Sequence, residues 1–487
     1  MHLYNFIKVF IIGGIYIFSK IKKIIKGVFY NMLNRVDIAK ELDIEIALND
    51  DMANAINLWS NMYNNAPPWI SKKVMTLGLP GAISNELARL VTIEFKSEII
   101  NNEYLNKIYQ EFISVLRINT EYACAKGGLI FKPYFDGENI EVDIIQQDSF
   151  LPISYNAVGE ITAAVFLEYK IIGDKKYTRL EYHDFKEDNY TIKNIAYVKS
   201  NLVKDNSLGK RTILASVPEW SKLQEEITLN KAIRPLFSYF KIPQANVIDV
   251  NSPLGVSCYS KAIDLIKEAD KQFSRIIWEY EGTELAVNAS ESLFDKNKDG
   301  SPKFPDGNER LFRVFNWEER NGNLLLDTFS PGIRDENLFN GLNNILRRIE
   351  FNCGLAYGTL SDINDVSKTA TEIKTSKQRS YSTVKDIQKS LEKALKGLIL
   401  SMNDLVTLYK LNINNLDIDK DVSFEWDDSL ILDKDSELES MRNDVSAGIL
   451  RPELYLAKKY GVSEEEALKM MPEIEPIEKS PFNGLDE

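Results

Sequence analysis

Ser257-Cys-Tyr-Ser-Lys-Ala-Ile-Asp-Leu-Ile-Lys-Glu-Ala-Asp-Lys-Gln-Phe-Ser-Arg-Ile-Ile-Trp-Glu-Tyr-Glu281 repeats its apolar residues every three or four positions. On a helix, Ala262, Ile266, Ala269, Phe273 and Ile276 share one face, and Asp264, Lys267, Lys271 and Arg275 take the other. Asp335 to Asn352 repeats the pattern, with Leu338, Leu342, Ile345 and Ile349 as a stripe and Arg347, Arg348 and Glu350 outside it. Between the two lies strand and turn, from Thr283 to Arg320 and again at Leu324 to Phe329. The pair therefore reads as two amphipathic helices bracketing a small β segment. A Gly-containing stretch, Gly354 to Asp365, follows, and then the longest helix, Ser367 to Tyr409. Its apolar stripe, Val384, Ile387, Leu391, Leu395, Leu398, Met402 and Leu405, begins only partway along. With half a face to bury, such a helix is expected to bend or change neighbours.

Upstream, Arg35 to Ser97 is helical in pattern with breaks at Pro67-Pro68 and Pro80-Gly81, and Tyr104 to Ala125 is a further helix. After Gly127-Gly128 the texture changes to alternating runs, Leu129 to Phe135, Ile140 to Ile145, Ile161 to Ile171, Tyr177 to Phe185 and Tyr190 to Val198, which read as antiparallel strands. Pro218 to Pro253 is loop-rich. The tail holds an extended stretch at Val422 to Trp426, a charged helix at Ser436 to Ala447, and a helical pair around Gly448 to Arg451 and Ser463 to Met471. The fold class is α+β.

The N-terminus is amphipathic, with Ile7, Ile11, Ile15, Phe18, Ile21, Ile25 and Val28 at helical spacing and lysines between. The apolar run between Lys8 and Lys20 is shorter than a bilayer span, and Lys22, Lys23 and Lys26 do not form a signal cleavage region. We read 1–34 as a helix packed on its own protein or a neighbouring copy; contact with a membrane surface is the alternative.

Composition excludes several classes. Of 487 residues, 59 are basic and 72 acidic, a formal net charge of −13, which disfavours a protein that wraps nucleic acid in a basic surface. It leaves open a channel through which DNA slides, where tight phosphate contacts would act as a brake. Cys124, Cys258 and Cys353 are odd in number and far apart, so neither a disulfide framework nor a zinc knuckle is indicated, and a reducing folding compartment is expected.

Catalytic machinery is not visible. The histidines are His2 and His183, neither with evident partners; His183 reads as an ordinary surface or packing residue. No glycine loop carries Lys-Ser or Lys-Thr at P-loop spacing. Asp295, Asn297, Asp299, Gly300, Ser301 and Asp306 fit a calcium-loop pattern, with oxygen donors at alternate positions. Lys298, Lys303 and Pro302 count against it, as does an Asp at the twelfth position, and a solvated strand-to-strand turn is the preferred reading. Lys368, Lys374, Lys377 and Arg379 either face DNA or form a solvated helix face paired with Glu372 and Asp386; the second is preferred. No cofactor and no metal is expected.

The segment Arg234-Pro-Leu-Phe-Ser-Tyr-Phe-Lys-Ile-Pro243 through Asn251-Ser-Pro-Leu-Gly-Val-Ser-Cys-Tyr259 and on into the helix resembles portal proteins of tailed bacteriophages of the Gram-positive siphophage type. So does the order of elements after it, and the tail pattern Phe424-Glu-Trp-Asp-Asp428, Ala447-Gly-Ile-Leu-Arg-Pro-Glu453 and Gly461-Val-Ser-Glu-Glu465. The resemblance covers about Arg35 to Glu475, and its specificity lies in the ordered set. It implies a portal fold: a wing at 35–256, a stem helix at 257–281, an α/β clip at 282–331, a second stem helix at 332–353 and a tunnel loop at 354–366. A long kinked helix at 367–410 and a C-terminal wing and crown segment at 411–487 complete it. It further implies a non-enzymatic ring of twelve copies at a capsid vertex of the virion, assembled in the host cytoplasm. The ring would be a channel for packaging and ejecting double-stranded DNA, and a docking site for the terminase large subunit, major capsid and scaffold proteins, and head-completion or tail adaptor proteins. Tyr357, Gly358, Thr359, Leu360, Ser361, Asp362, Asn364 and Lys368 are the residues it places against DNA. The rival class is a peripheral membrane scaffold or adaptor that uses the N-terminal helix.

Overall fold

A computed structural model describes residues 35–202, 207–303, 312–315, 326–362, 370–411, 416–426 and 434–471. The N-terminal segment 1–34, Asp306, Asn364, Lys368 and the side chains of Glu372 and Lys374 lie outside the described residues. The chain divides after Glu425 into two units.

The first unit opens with α1 (Arg35–Leu42), α2 (Asp50–Tyr63) and α3 (Leu79–Thr92). Asn49 caps α2 by accepting from the Met52 amide at 2.8 Å, which satisfies one of the free N–H groups of the first turn. Pro80-Gly81, read above as a break, lies inside the first turn of α3, where proline is tolerated because its missing N–H has no helical partner anyway. The helix expected from Tyr104 to Ala125 is two helices, α4 (Glu103–Ile113) and α5 (Leu116–Lys126). Before them a short strand, β1 (Lys96–Ile99), was hidden in sequence by its length.

The strands follow: β2 (Gly128–Phe135), β3 (Ile140–Gln146), β4 (Phe150–Tyr155), β5 (Ile161–Ile172), β6 (Lys175–Lys186), β7 (Asn189–Ser200), β8 (Lys210–Thr212), β9 (Glu226–Asn230) and β10 (Ser238–Lys241). They form two antiparallel sheets. One has the order β10-β2-β3; the other runs β4-β5-β6-β7, with β8 and β9 sharing the far edge of β7. The stretch 218–253 thus contains two strands, although it reads as loop; each is too short to show alternation. Trp220 is buried with Val217, Leu214 and Ala196 under that sheet, and its indole N–H donates to Glu168 at 3.0 Å.

Next come α6 (Ile263–Gly282), β11 (Ala286–Ser290), β12 (Phe312–Phe315), β13 (Leu326–Phe329), α7 (Asp335–Cys353) and α8 (Ala370–Tyr409). The chain enters α6 past a close approach of two glycine backbones. A Cβ on Gly127, whose φ is +99°, would lie 2.5 Å from the Gly255 carbonyl oxygen, so neither position accommodates a side chain without movement. The single 40-residue helix α8 buries Val384, Ile387, Leu391, Leu395, Leu398, Met402 and Leu405 against β2, β10 and α3. A four-residue helix, α9 (Ile418–Asp421), leads into β14 (Val422–Glu425), which pairs antiparallel with β1 and closes the unit. Among the described residues no helix is long and apolar enough to cross a membrane.

The second unit, by itself, holds α10 (Lys434–Ser446), α11 (Pro452–Tyr460) and α12 (Glu464–Lys469). Gly448 to Leu450, read above as helical, is the turn between α10 and α11, with Gly448 at φ +72° and the Ile449 amide donating back to Asp444. Ser463 and Glu466 cap α12 reciprocally at 3.3 Å each.

Candidate functional site

The helices α6 and α7 form an antiparallel hairpin, and its two ends are tied by different chemistry. At the α6 start, the Asn352 amide donates to the Lys261 carbonyl at 3.3 Å. At the other end Arg334 grips Glu279 with two nitrogens, at 3.0 and 2.8 Å, a fork that holds the Glu279 carboxyl below the usual carboxylate range. Midway, Gln272 donates to the Leu338 carbonyl. The hairpin is anchored to the body through Asp270, which is fully buried and accepts from the Trp69 indole and the Leu77 amide, each at 2.8 Å.

Beyond Glu279 the chain forms a small sheet in which β11 pairs parallel with β12 and antiparallel with β13. The calcium-like loop sits here. Asp299 accepts from both the amide and the hydroxyl of Ser301, Asn297 donates its amide to the Ser301 hydroxyl at 3.1 Å, and Gly300 takes φ +84°. The donors of Asp299, Asn297 and Ser301 are therefore turned on one another. No cluster of metal-ligating side chains occurs among the described residues.

At the other end of α7 is the segment that sequence reading assigned to moving DNA. Gly354 ends the helix at φ +71°, and a Cβ there would lie 2.3 Å from the Thr383 hydroxyl, so this end of α7 is pressed against α8. The loop after it is organised by one carboxylate. Glu350 Oε1 accepts from the amides of Gly358 (3.1 Å), Leu360 (2.6 Å) and Ser361 (2.9 Å), and Oε2 accepts from the Ser361 hydroxyl (2.9 Å). Asn343 adds a second clamp, accepting from the Asp362 amide at 2.7 Å. Arg379 of α8 lies over the rings of Phe351 and Tyr357, 4.4 and 5.3 Å from their centres.

Thr359 and Asp362 are exposed, Tyr357, Gly358 and Leu360 are half-buried, and Ser361 is buried with its hydroxyl already engaged. Asn364 and Lys368 lie outside the described residues. Glu350, placed above on the outer face of its helix, is fully buried, and together with Asn343 it is what sequence reading missed. The available signal was a carboxylate flanked by Ile349 and Cys353, four residues ahead of a helix-ending glycine.

His183 also has partners that its sequence neighbourhood concealed. It is buried, with Nε2 2.7 Å from Glu181 Oε1 and Nδ1 2.5 Å from the Tyr190 hydroxyl. Burial pushes the His183 pKa down. Burial also pushes Glu181 up, but Lys132 at 2.8 Å, His183 and Arg179 outweigh it and hold that carboxyl well below its ordinary range. The arrangement is a closed internal network inside the larger sheet.

The solved virion of a native gene transfer agent particle contains a similar chain, at 10% identity over 84% of this chain and 94% of that one, with a TM-score of 0.40. No curated protein matches. The family model for phage portal proteins of the SPP1 Gp6-like type matches residues 70–480, which takes in the body from α3 onward, the hairpin, the Glu350-held loop and the helices of the second unit. The chain therefore belongs to the SPP1 Gp6-like family of phage portal proteins, components of the phage virion.

Proposed function

We propose that this chain works as a ring of twelve copies at one capsid vertex, forming the channel through which double-stranded DNA is packaged and later ejected. The observation that carries the ring is the unmatched apolar surface of the hairpin: Trp278, Leu285, Ile333 and Phe339 are 66, 54, 47 and 45% exposed. A monomer would leave this surface in water, whereas neighbouring copies in a closed ring would cover it. In this reading α6 and α7 are the stem, the sheet of β11 to β13 is the clip, the body around the larger sheets is the wing, and 354–366 is the tunnel loop.

The loop suits a sliding contact. Between 358 and 362 its backbone is held by Glu350 and Asn343, and among the described residues of the loop the exposed ones are the neutral Thr359 and the acidic Asp362. Neither attracts phosphate, and DNA would pass with little drag. The chain itself hydrolyses nothing; the terminase large subunit would dock on the clip and use ATP. Head-completion or tail adaptor proteins would take the clip after packaging, while capsid and scaffold proteins meet the wing.

Light scattering of the purified protein, with negative-stain images, tests the reading. The expected result is a mass near twelve chains and rings with a central hole. A monomer at all concentrations, with or without scaffold protein, that instead binds liposomes would replace the portal reading with the membrane adaptor.

A further inference from the structure

The three cysteines, far apart in sequence, meet in the fold. Cys124 lies in the last turn of α5, Cys258 in the segment that enters α6, and Cys353 is the last residue of α7. All three are free thiols, at most 1% exposed. The segments holding Cys124 and Cys258 run side by side in opposite directions and are pinned at two points. At one, the backbones of Gly127 and Gly255 press together; at the other, the Cys258 amide donates to the Cys124 carbonyl at 2.9 Å. That carbonyl sits in the last turn of a helix, where carbonyls lack helical donors, and the Ser257 hydroxyl adds a second bond to it at 3.4 Å. An amide–carbonyl bond between antiparallel segments holds the Cα atoms about 5.5 Å apart, inside the window of about 4.4–6.8 Å that a disulfide spans. The thiols also act on one another. Contact with Cys258 is the main cause that pushes the Cys124 thiol up, ahead of burial, and burial with Cys258 nearby pushes the Cys353 thiol up.

We propose that Cys124 and Cys258 are an oxidation site, at which a peroxide closes a disulfide between the body and the entrance of the hairpin. One thiol loses its proton and its sulfur attacks the peroxide; the O–O bond breaks, giving a sulfenic acid and water. The second sulfur then attacks the sulfenic sulfur. The S–O bond breaks, the S–S bond forms, and a second water leaves with the remaining thiol proton. Two electrons pass from the sulfurs to the peroxide, which ends as two waters. Burial keeps the reaction slow, since peroxide reaches the pair only through local opening. A reducing cell would keep the thiols free, whereas a virion component released into an oxidising medium would acquire the bond with time. That setting rests on the family placement; the site itself does not. The chain between the two cysteines holds both antiparallel sheets, β2 to β10, so the bond would constrain the unfolded chain over that whole length.

To test it, the purified protein is incubated with hydrogen peroxide, free thiols are alkylated in denaturant, and unreduced peptides are mapped by mass spectrometry. The expected result is a linked Cys124–Cys258 peptide pair, lighter by two hydrogens than its parts, with one of the three thiols, Cys353, still free. Dithiothreitol should reverse the link, and the melting temperature should rise by several degrees on oxidation. C353S should behave like wild type, while C124S and C258S should each lose both the linked peptide and the rise. Melts of the reduced variants check that they fold, and the wild-type map decides without them. Three intact thiols, a Cys258–Cys353 link instead, or sulfinic acid without any link would overturn the site and leave the family placement standing.

Discussion

The sheet body and the helix hairpin handle charge in opposite ways. In the body, charges are buried and answered within the chain: Lys126 bonds Asp148 and Gln146, and Ser60 donates to the same Asp148, with Lys126 and Asp148 almost wholly buried. Glu181 likewise sits among Lys132, Arg179 and His183. On the hairpin, Asp264, Arg275, Glu336 and Arg348 stand in solvent among exposed apolar residues. The contrast is one of pairing: these body charges are answered inside the chain, while those four on the hairpin are exposed and make no ion pair among the described residues. Asp270, Glu279 and Glu350 are the hairpin's exceptions, buried carboxylates that anchor α6 to the body, tie the hairpin end to Arg334 and hold the loop.

The sharpest way to break this comparison is to unbalance the body. Lys126→Met leaves Asp148 buried beside Ser60 without its cation, and is expected to cost about 3–5 kcal/mol, since removing one partner strands the other charge. Chemical denaturation measures it; a loss under about 1 kcal/mol would mean that water or backbone rearrangement rescues the carboxylate and the body is not closed in the sense argued.

Glu350→Gln comes next. It replaces a charged acceptor of four hydrogen bonds by a neutral one and should cost about 1.5–3 kcal/mol, confined to the loop. Hydrogen exchange at the Gly358, Leu360 and Ser361 amides should quicken while the body keeps its protection. Unchanged exchange at those three amides would show that Gly354 and the Arg379 stack hold the loop without the carboxylate.

The smallest effect is the pH response of the larger sheet. His183 has a lowered pKa when folded, so the unfolded chain binds its proton first, and stability is lost as pH falls below the ordinary histidine range of about 6.5. Glu181, also lowered, contributes stability that is full above about pH 4.3 and lost as pH falls toward its depressed value. The unfolding free energy should therefore decline in two stages on acidification, with a slope from His183 of at most about 1.4 kcal/mol per pH unit, and the melting temperature should follow it. His183→Gln should remove the first stage only; a variant that melts in parallel with wild type between pH 7 and 5 would show that His183 does not titrate with unfolding.

Much of the fold was legible because it rests on long periodic elements. The hairpin helices, the long strands β5, β6 and β7, and the buried stripe of α8 all follow from apolar spacing, which reports burial wherever an element is long enough to repeat. Elements below that length were lost: β1, β8, β9 and β10 are three to five residues each and are fixed by partners far away in sequence, as β1 is by β14. Pro80 misled because a proline marks a helix start as readily as a break. Buried polar residues were the least legible. Glu350 and His183 read as surface or isolated because their partners, loop amides in one case and Glu181 with Tyr190 in the other, are defined by the fold and not by spacing. The loop itself was found by resemblance and element order, and its internal clamp only by geometry.

Electron cryo-microscopy of the assembled protein tests the central claim most directly. The expected result is a closed twelve-fold ring in which the helix hairpins of neighbouring copies pack together and residues 354–362 face the central hole. A protein that stays monomeric, or a ring with the hairpin on its outer rim and the loop away from the bore, would contradict it.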